Sequence, residues 1–239
     1  MKRGRSNITS STAPYDLDGL ELVFRRHPRA RRMRLRYDAE RDRLLLTLPP
    51  RASQARARAW ARSQSDWIAE QRAARPPSIP LAPGEHIPFC GEELLLVHDP
   101  AASRRLHHGD GRLVGGGPEE AFPARVHAWL RRAARDRLSE DVAFYAEKAR
   151  VTVTGVAIGD ARTRWGSCSP EGKLRFSWRL VCAPPEVRRY VAAHEVAHRR
   201  HMDHGPDFHA FEEELYGAPT RPARRLLREL GPRLQRIGR

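Results

Sequence analysis

The sequence predicts an α+β fold, in which a β-rich N-terminal region precedes a C-terminal domain of helices beside a small antiparallel sheet. Three observations predict it. Between Leu20 and Leu48, short apolar or alternating stretches are separated by polar turns, the spacing of half-buried strands. After Pro49 and Pro50 the apolar spacing lengthens to that of a helix. Past Ala149, a Val/Thr/Ile strand and an alternating hairpin lead into a helical stretch containing His194-Glu195-Val196-Ala197-His198.

In chain order, residues 1–15 read as a flexible basic tail, rich in Ser and Thr. Strands are expected at Leu20–Phe24, Met33–Tyr37 and Leu44–Leu48; Met33, Leu35 and Tyr37 alternate with Arg32, Arg34 and Arg36. Ser53 can N-cap one helix running to about Arg75, with Trp60 and Trp67 two turns apart on one face and Pro76-Pro77 as the stop. Residues 76–118, rich in Pro and Gly, read as a connecting region with a small hairpin or two around Leu94–Val97 and Leu113-Val114. A long helix over about Pro123–Ala149 follows, with Val126, Trp129, Leu130, Ala133, Leu138, Val142 and Tyr145 inward. Val151–Ile158 predicts a strand. Arg162–Cys168 and Lys173–Val181 flank the turn residues Ser169-Pro170-Glu171-Gly172 and predict an antiparallel hairpin. In its second arm Leu174, Phe176, Trp178 and Leu180 form a buried face, and Lys173, Arg175, Ser177 and Arg179 a basic one. Helices are expected from Pro184-Pro185 to about Arg200 and again from near Thr220. The domains are therefore 16–118, β-rich with one helix, and 119–239.

Composition narrows the function classes. The 239-residue chain has no apolar run near the roughly 18 residues of a membrane span. Its N-terminus lacks the apolar segment of a secretory signal. Cys90, Cys168 and Cys182 form no C-x-x-C pair, which argues against a disulfide framework and a cysteine-rich zinc site and favours a cytoplasmic protein. The net charge is +15, and it is uneven: 18 basic against 8 acidic residues through Arg75, 26 against 21 thereafter. All but three of the 44 cations are arginines, a bias that a GC-rich genome also produces. The basic N-terminal region nevertheless makes nucleic acid a candidate partner, beside the plainer reading of a solvated basic face.

The chemistry is carried by the H-E-x-x-H sequence. His194 and His198, four residues apart, stand on one helix face and can reach one metal ion. Glu195, about 100° around the axis, stands beside that ion without ligating it. Random order with 11 His and 17 Glu gives the motif about 3% of the time; adding a His six residues on lowers this to about 0.1–0.2%. His204 holds that position and is the candidate third ligand. Metzincin-type sites carry a Gly where this chain has His201, so the turn back to the metal would ask His201 for left-handed backbone, and Gly205 would help the bend. His201 itself and the carboxylates Glu212, Glu213 and Glu214 are alternative ligands, and His209 a surface or outer residue. Cys168 reads as a small buried residue near a turn rather than a nucleophile or ligand.

Arg164-Trp165-Gly166-Ser167-Cys168-Ser169, Trp178-Arg179-Leu180, Ala183-Pro184-Pro185-Glu186-Val187, Tyr190-Val191, His194-Glu195-x-Ala197-His198 and His204 together resemble the YgjP-like metallopeptidase family. The ordered motifs span about 50 residues, and the likeness extends in outline over about 85% of the chain. His204-Gly205-Pro206-Asp207-Phe208 is more distantly similar to SprT-type proteases, which act on DNA-bound proteins. The sequence departs from the family pattern at Ser177, where Asn is usual, and at Gly205, where Ser is common. The resemblance implies a zincin-like domain with ligands His194, His198 and His204 and catalytic Glu195.

The expected activity is hydrolysis of a polypeptide substrate by a zinc-activated water, one Zn²⁺ per chain, with Glu195 as general base. Arg164 and Tyr216 are candidate oxyanion or substrate contacts, and the hairpin beginning at Arg162 a candidate rim for an extended peptide. Two other readings remain: a zinc hydrolase of a nucleotide or other phosphorylated compound, and a basic nucleic-acid-associated protein carrying a metal site.

Overall fold

The computed structural model describes residues 15–17, 19–38, 41–74, 76–161 and 163–239. The expected tail lies, save for Tyr15, outside the described residues. The chain forms two compact units that divide at Pro76–Pro77.

The first unit is a four-stranded sheet with two helices. The strands are β1 (Tyr15–Leu17), β2 (Leu20–Arg26), β3 (Arg34–Asp38) and β4 (Arg43–Leu48), in the order β1-β2-β4-β3. β2 and β4 run parallel; the other pairs are antiparallel. Alternation places Leu20, Leu22, Leu44, Leu46 and Leu48 on one face, where they bury with Ala57, Ala61 and Ile68 of α1 (Gln54–Arg62) and α2 (Ser65–Ala73). The single helix expected here is broken. Ser53 caps α1, its side chain accepting from Arg56 N, but the Ser63 hydroxyl donates to the Trp60 carbonyl at 2.8 Å and competes with helix propagation. Trp60 and Trp67 both pack on the core, from separate helices rather than along one face.

In the second unit, β5 (His86–Phe89), β6 (Glu92–His98), β7 (His107–Gly109) and β8 (Arg112–Gly115) form a sheet of order β5-β6-β8-β7. Its Ile87, Leu94, Leu96 and Leu113 share a core with Phe122, Val126, Leu130 and Leu138 of the long helix α3 (Phe122–Ala149). Residues 77–118 therefore belong with the C-terminal half, not with the N-terminal strands as sequence reading grouped them. α3 meets its expectation: Val126, Leu130, Leu138, Val142 and Tyr145 are buried, and Trp129 and Ala133 pack partly buried against them. It stops at Arg150, whose φ of 52° is left-handed.

The sheet nearest the motif contains β9 (Gly155–Gly159), β10 (Gly166–Cys168) and β11 (Lys173–Ser177), ordered β10-β11-β9. It is mixed rather than purely antiparallel, because β9 pairs parallel to β11 while β10 pairs antiparallel. The second hairpin arm is shorter than expected. Ser177 accepts from Arg179 N and starts a 3-10 turn over Trp178–Cys182, in which all five residues are buried. Arg179 is thus not on a basic outer face: it is 1% exposed, its guanidinium donating to the Ile237 carbonyl and pairing with Asp160. The helices α4 (Pro185–Ala197), α5 (Pro206–Tyr216) and α6 (Thr220–Leu234) complete the unit. No helix among the described residues is long and apolar enough to cross a membrane.

Arg179 gives a stability prediction. Burial alone would raise the Asp160 carboxyl, but the hydrogen bond and charge of Arg179 outweigh it and hold its pKa below the ordinary value. Asp160→Asn removes a charged partner from a buried guanidinium and is expected to cost about 1.5–3 kcal/mol, measured by urea unfolding at pH 7. With the folded pKa depressed, the pair stabilises above the unfolded carboxylate value. The wild-type advantage over Asp160→Asn should therefore shrink as pH falls through the acid range.

Candidate metal centre

α4 presents the motif at its C-terminal end. Pro184-Pro185 starts the helix, with Pro at its first turn, where a missing N–H costs nothing. Val187, Val191, Ala193 and Val196 anchor it in the core. His194 lies in the last turn, and His198 is the C-cap residue. The chain then tightens, Arg199 N bonding to Val196 O and Arg200 N to Ala197 O, and reaches His204 just before α5. His201 keeps a negative φ, and Gly205 is extended at φ −72°, so neither residue supplies left-handed backbone to this turn. The expected need for it does not arise, because short-range hydrogen bonds turn the chain without it.

One nitrogen from each of His194, His198 and His204 lies within 4.8 Å of the others. The Nε2 atoms of His194 and His204 face each other at 3.3 Å. Phe208, fully buried, packs against all three rings with centroids 4.6–5.1 Å away. The outer ring nitrogens define the tautomers. His198 Nδ1 lies 3.0 Å from the His201 carbonyl, which can only accept, so Nδ1 carries the proton and Nε2 a lone pair. His194 Nδ1 lies 2.7 Å from Glu212 Oε1. Burial alone would raise the Glu212 carboxyl, but its bonds to His194 and His209 and the Arg224 charge lower it, so it is the acceptor and His194 Nδ1 the donor. Burial also lowers the pKa values of His198 and His204, helped by the neighbouring histidines. In His194 and His198, outer N–H groups held by acceptors and inward lone pairs fit a metal ion.

Glu195, next to His194 on α4, lies against β10. It is 5% exposed, and burial pushes its pKa up to about 7, with the smaller influences of His194 and Arg164 acting in the opposite direction. Gly166 makes room for it: a Cβ there would stand 2.6 Å from Glu195 Cγ and 2.8 Å from Cδ. Gly166→Ala is expected to displace the carboxylate and lower activity about 10-fold or more while metal content is unchanged, read by elemental analysis beside initial rates. An alanine variant with full activity would show that the carboxylate's position is unimportant.

Arg164 is exposed and acts on Glu195 through its charge. Tyr216 is not brought to the histidines: its hydroxyl donates to the Glu186 carbonyl, in the first turn of α4. The alternative ligands are not brought into the histidine cluster, and Glu214 among them is exposed. The His201 ring lies against Phe211, the Glu213 carboxylate caps α6 at Thr220, and Glu212 holds His194 from behind. His209 reaches Glu212 at 3.3 Å. Cys168 is partly buried, its thiol donating to the Ser169 carbonyl and pushed up in pKa by burial, which does not suit a nucleophile.

Sequence reading missed α5 and the second layer it builds. Glu212 Oε2 accepts from Arg224, whose Nε reaches the Tyr190 hydroxyl at 3.2 Å. Signals for α5 were present: Pro206 at its first turn, apolar Phe208, Phe211 and Leu215 at helical spacing, and left-handed Gly217 as its stop.

No curated protein matches the chain. Among solved structures, the metallopeptidase zymogen of Pyrococcus abyssi abylysin is similar at 17% identity and a TM-score of 0.36, over 42% of this chain and 97% of that one. The family model described as YgjP-like, metallopeptidase domain, matches residues 31–229, a span that includes the motif helix, the β10–β11 hairpin and α5. The chain belongs to the YgjP-like metallopeptidase family.

Proposed function

We propose that this metallopeptidase is zinc-dependent and that Glu195 is its general base. The observation that carries the reading is the convergence of three imidazole nitrogens beside a buried carboxylate. Zinc suits an all-imidazole set and, when bound, supplies Lewis acidity and an activated water near neutral pH. The remaining steps belong to the chain. The buried Glu195 carboxylate takes the proton of the attacking water and returns it to the leaving amine. Glu212 and the His201 carbonyl hold the outer nitrogens of His194 and His198, so the inner nitrogens keep their direction. Arg164, exposed and within electrostatic reach of Glu195, is the candidate to offset negative charge developing on the substrate carbonyl.

A polypeptide substrate is favoured over a phosphorylated one by β10. It is a terminal strand of its sheet, and it lies against Glu195 through Gly166. An extended peptide can add to that edge and bring a carbonyl to the site. The three thiols are unpaired, which suits a reducing compartment such as the cytoplasm.

The test is zinc per chain by elemental analysis, wild type beside His204→Ala, with hydrolysis of an unfolded protein and of nucleoside triphosphates measured on both. Near one zinc in wild type, a clear loss in the variant and cleavage of the protein alone are expected. Stoichiometric zinc in both proteins would remove His204 from the ligand set. A folded wild type without zinc, or one that cleaves only the nucleotides, would overturn the reading.

A further inference from the structure

The first unit has a sheet face that the peptidase reading does not use. Register places three rows across it, opposite the leucine core. The first row joins Asp16, Glu21, Arg43 and Asp38; the second Val23, Leu45 and Arg36; the third Arg25, Thr47 and Arg34. Charge is segregated along the strands. At one end Arg43 pairs with Asp38 at 3.1 Å and approaches Glu21 at 4.0 Å. At the other end Arg25, Arg34 and Arg36 are all exposed, and the β2–β3 connection adds exposed Arg29, Arg31 and Arg32. No acidic side chain lies in the second or third row or among residues 24–37.

These arginines differ from those that hold the unit together. Arg26, on the opposite face, donates to the carbonyls of Pro49, Pro50 and Ala52. Arg58 and Arg62 lie over the Tyr15 ring. The side chains of Arg25, Arg29, Arg31, Arg32, Arg34 and Arg36 make no hydrogen bond or ion pair among the described residues. Six guanidiniums gathered without counter-charge repel one another and raise the local positive potential, a cost that an anionic ligand would relieve.

We propose that this basic end docks the phosphate backbone of a nucleic acid, without regard to base sequence. Strand geometry spaces Arg34 and Arg36 about 6.7 Å apart, and Arg25 and Arg34 about 10 Å apart across β4, a flat array suited to repeating charges. The guanidinium fork matches phosphate oxygens. Aromatic platforms for bases are missing, since Phe24 and Tyr37 pack with the core. A membrane surface fits less well. The exposed large hydrophobic residues among the described ones are Phe144 and Met202, neither of them in this unit, and the apolar Val23 and Leu45 of this face are half-buried, so the face presents no large exposed apolar group to insert among lipids.

The experiment uses the full chain, a fluorescent 30-base-pair duplex and a single strand of equal length, titrated between 50 and 200 mM NaCl. Wild type should bind both, losing about 10³-fold in duplex affinity over that range if six phosphates are engaged. Arg25→Gln/Arg34→Gln/Arg36→Gln should bind at least about 10-fold more weakly and reduce the log–log salt slope by about 2–3. The control, Arg221→Gln/Arg225→Gln/Arg228→Gln on α6, makes the same change in net charge at exposed positions and should change affinity less than threefold. Circular dichroism and urea unfolding check both variants, and the loop variant Arg31→Gln/Arg32→Gln serves if the strand variant does not fold. Equal weakening by face and control variants would reduce the effect to net charge and overturn the proposal. So would absence of binding at 50 mM NaCl, or binding to phosphatidylserine vesicles but not to either nucleic acid.

Discussion

Glu195→Gln is expected to lower peptide hydrolysis by about 10²–10⁴-fold, with metal content unchanged. The substitution keeps size and shape, so the space that Gly166 leaves against β10 stays filled. It removes only the capacity to accept a proton. Because the site is 5% exposed and burial disfavours the charged carboxylate, the neutral amide should cost little stability, and urea unfolding should shift by less than about 1 kcal/mol. Loss of rate with metal and fold intact separates a proton-transfer role from a structural one. Initial rates on an unfolded protein substrate, with elemental analysis on the same samples, decide it. A variant within threefold of wild type would assign the proton to another group.

The shared face of His194 and His198 was legible in the sequence because it depends on local geometry. His194 and His198 are one turn apart on any helix, and the Pro184-Pro185 start and buried Val187 and Val191 made that helix readable. His204 was legible from its spacing, although the backbone reaches it by tightened turns rather than through a left-handed His201. Interactions between distant elements were not legible. Glu212 meets His194 only because α5 packs against α4, and 18 residues separate the two. Tyr216, one turn further along α5 than Glu212, is directed instead to the start of α4.

The errors in the fold have the same origin. Alternation in Lys173–Val181 continues past Ser177, yet the backbone turns there, and Arg179 becomes a buried strut rather than part of a wet face. Leu94, Leu96 and Leu113 show that residues 77–118 have apolar strands, but not which core those strands join. Pairing topology is likewise long-range. Nothing in residues 20–48 dictates that β2 should pair parallel to β4 and leave β3 at an edge, and yet that register is what gathers Arg25, Arg34 and Arg36.

Glu212→Gln is expected to weaken metal binding by about 10–100-fold without removing a ligand. The fully buried carboxylate accepts from His194 Nδ1, His209 and Arg224 at once. An amide keeps one oxygen acceptor but replaces the other with an NH₂ donor, which must face either His194 or the Arg224 guanidinium. If it faces His194, the imidazole is driven to the tautomer whose Nε2 carries the proton and cannot bind metal. If it faces Arg224, donor opposes donor inside the protein, and the second layer loosens. His209→Ala removes only an exposed partner at 3.3 Å, and its affinity should stay within about threefold of wild type. Zinc competition against a chromophoric chelator measures both variants. Equal affinities for Glu212→Gln and wild type would show that His194 is oriented by the packing of Phe208 and Tyr190 alone. A loss confined to Glu212→Gln would place the control of metal affinity in α5, one layer behind the motif.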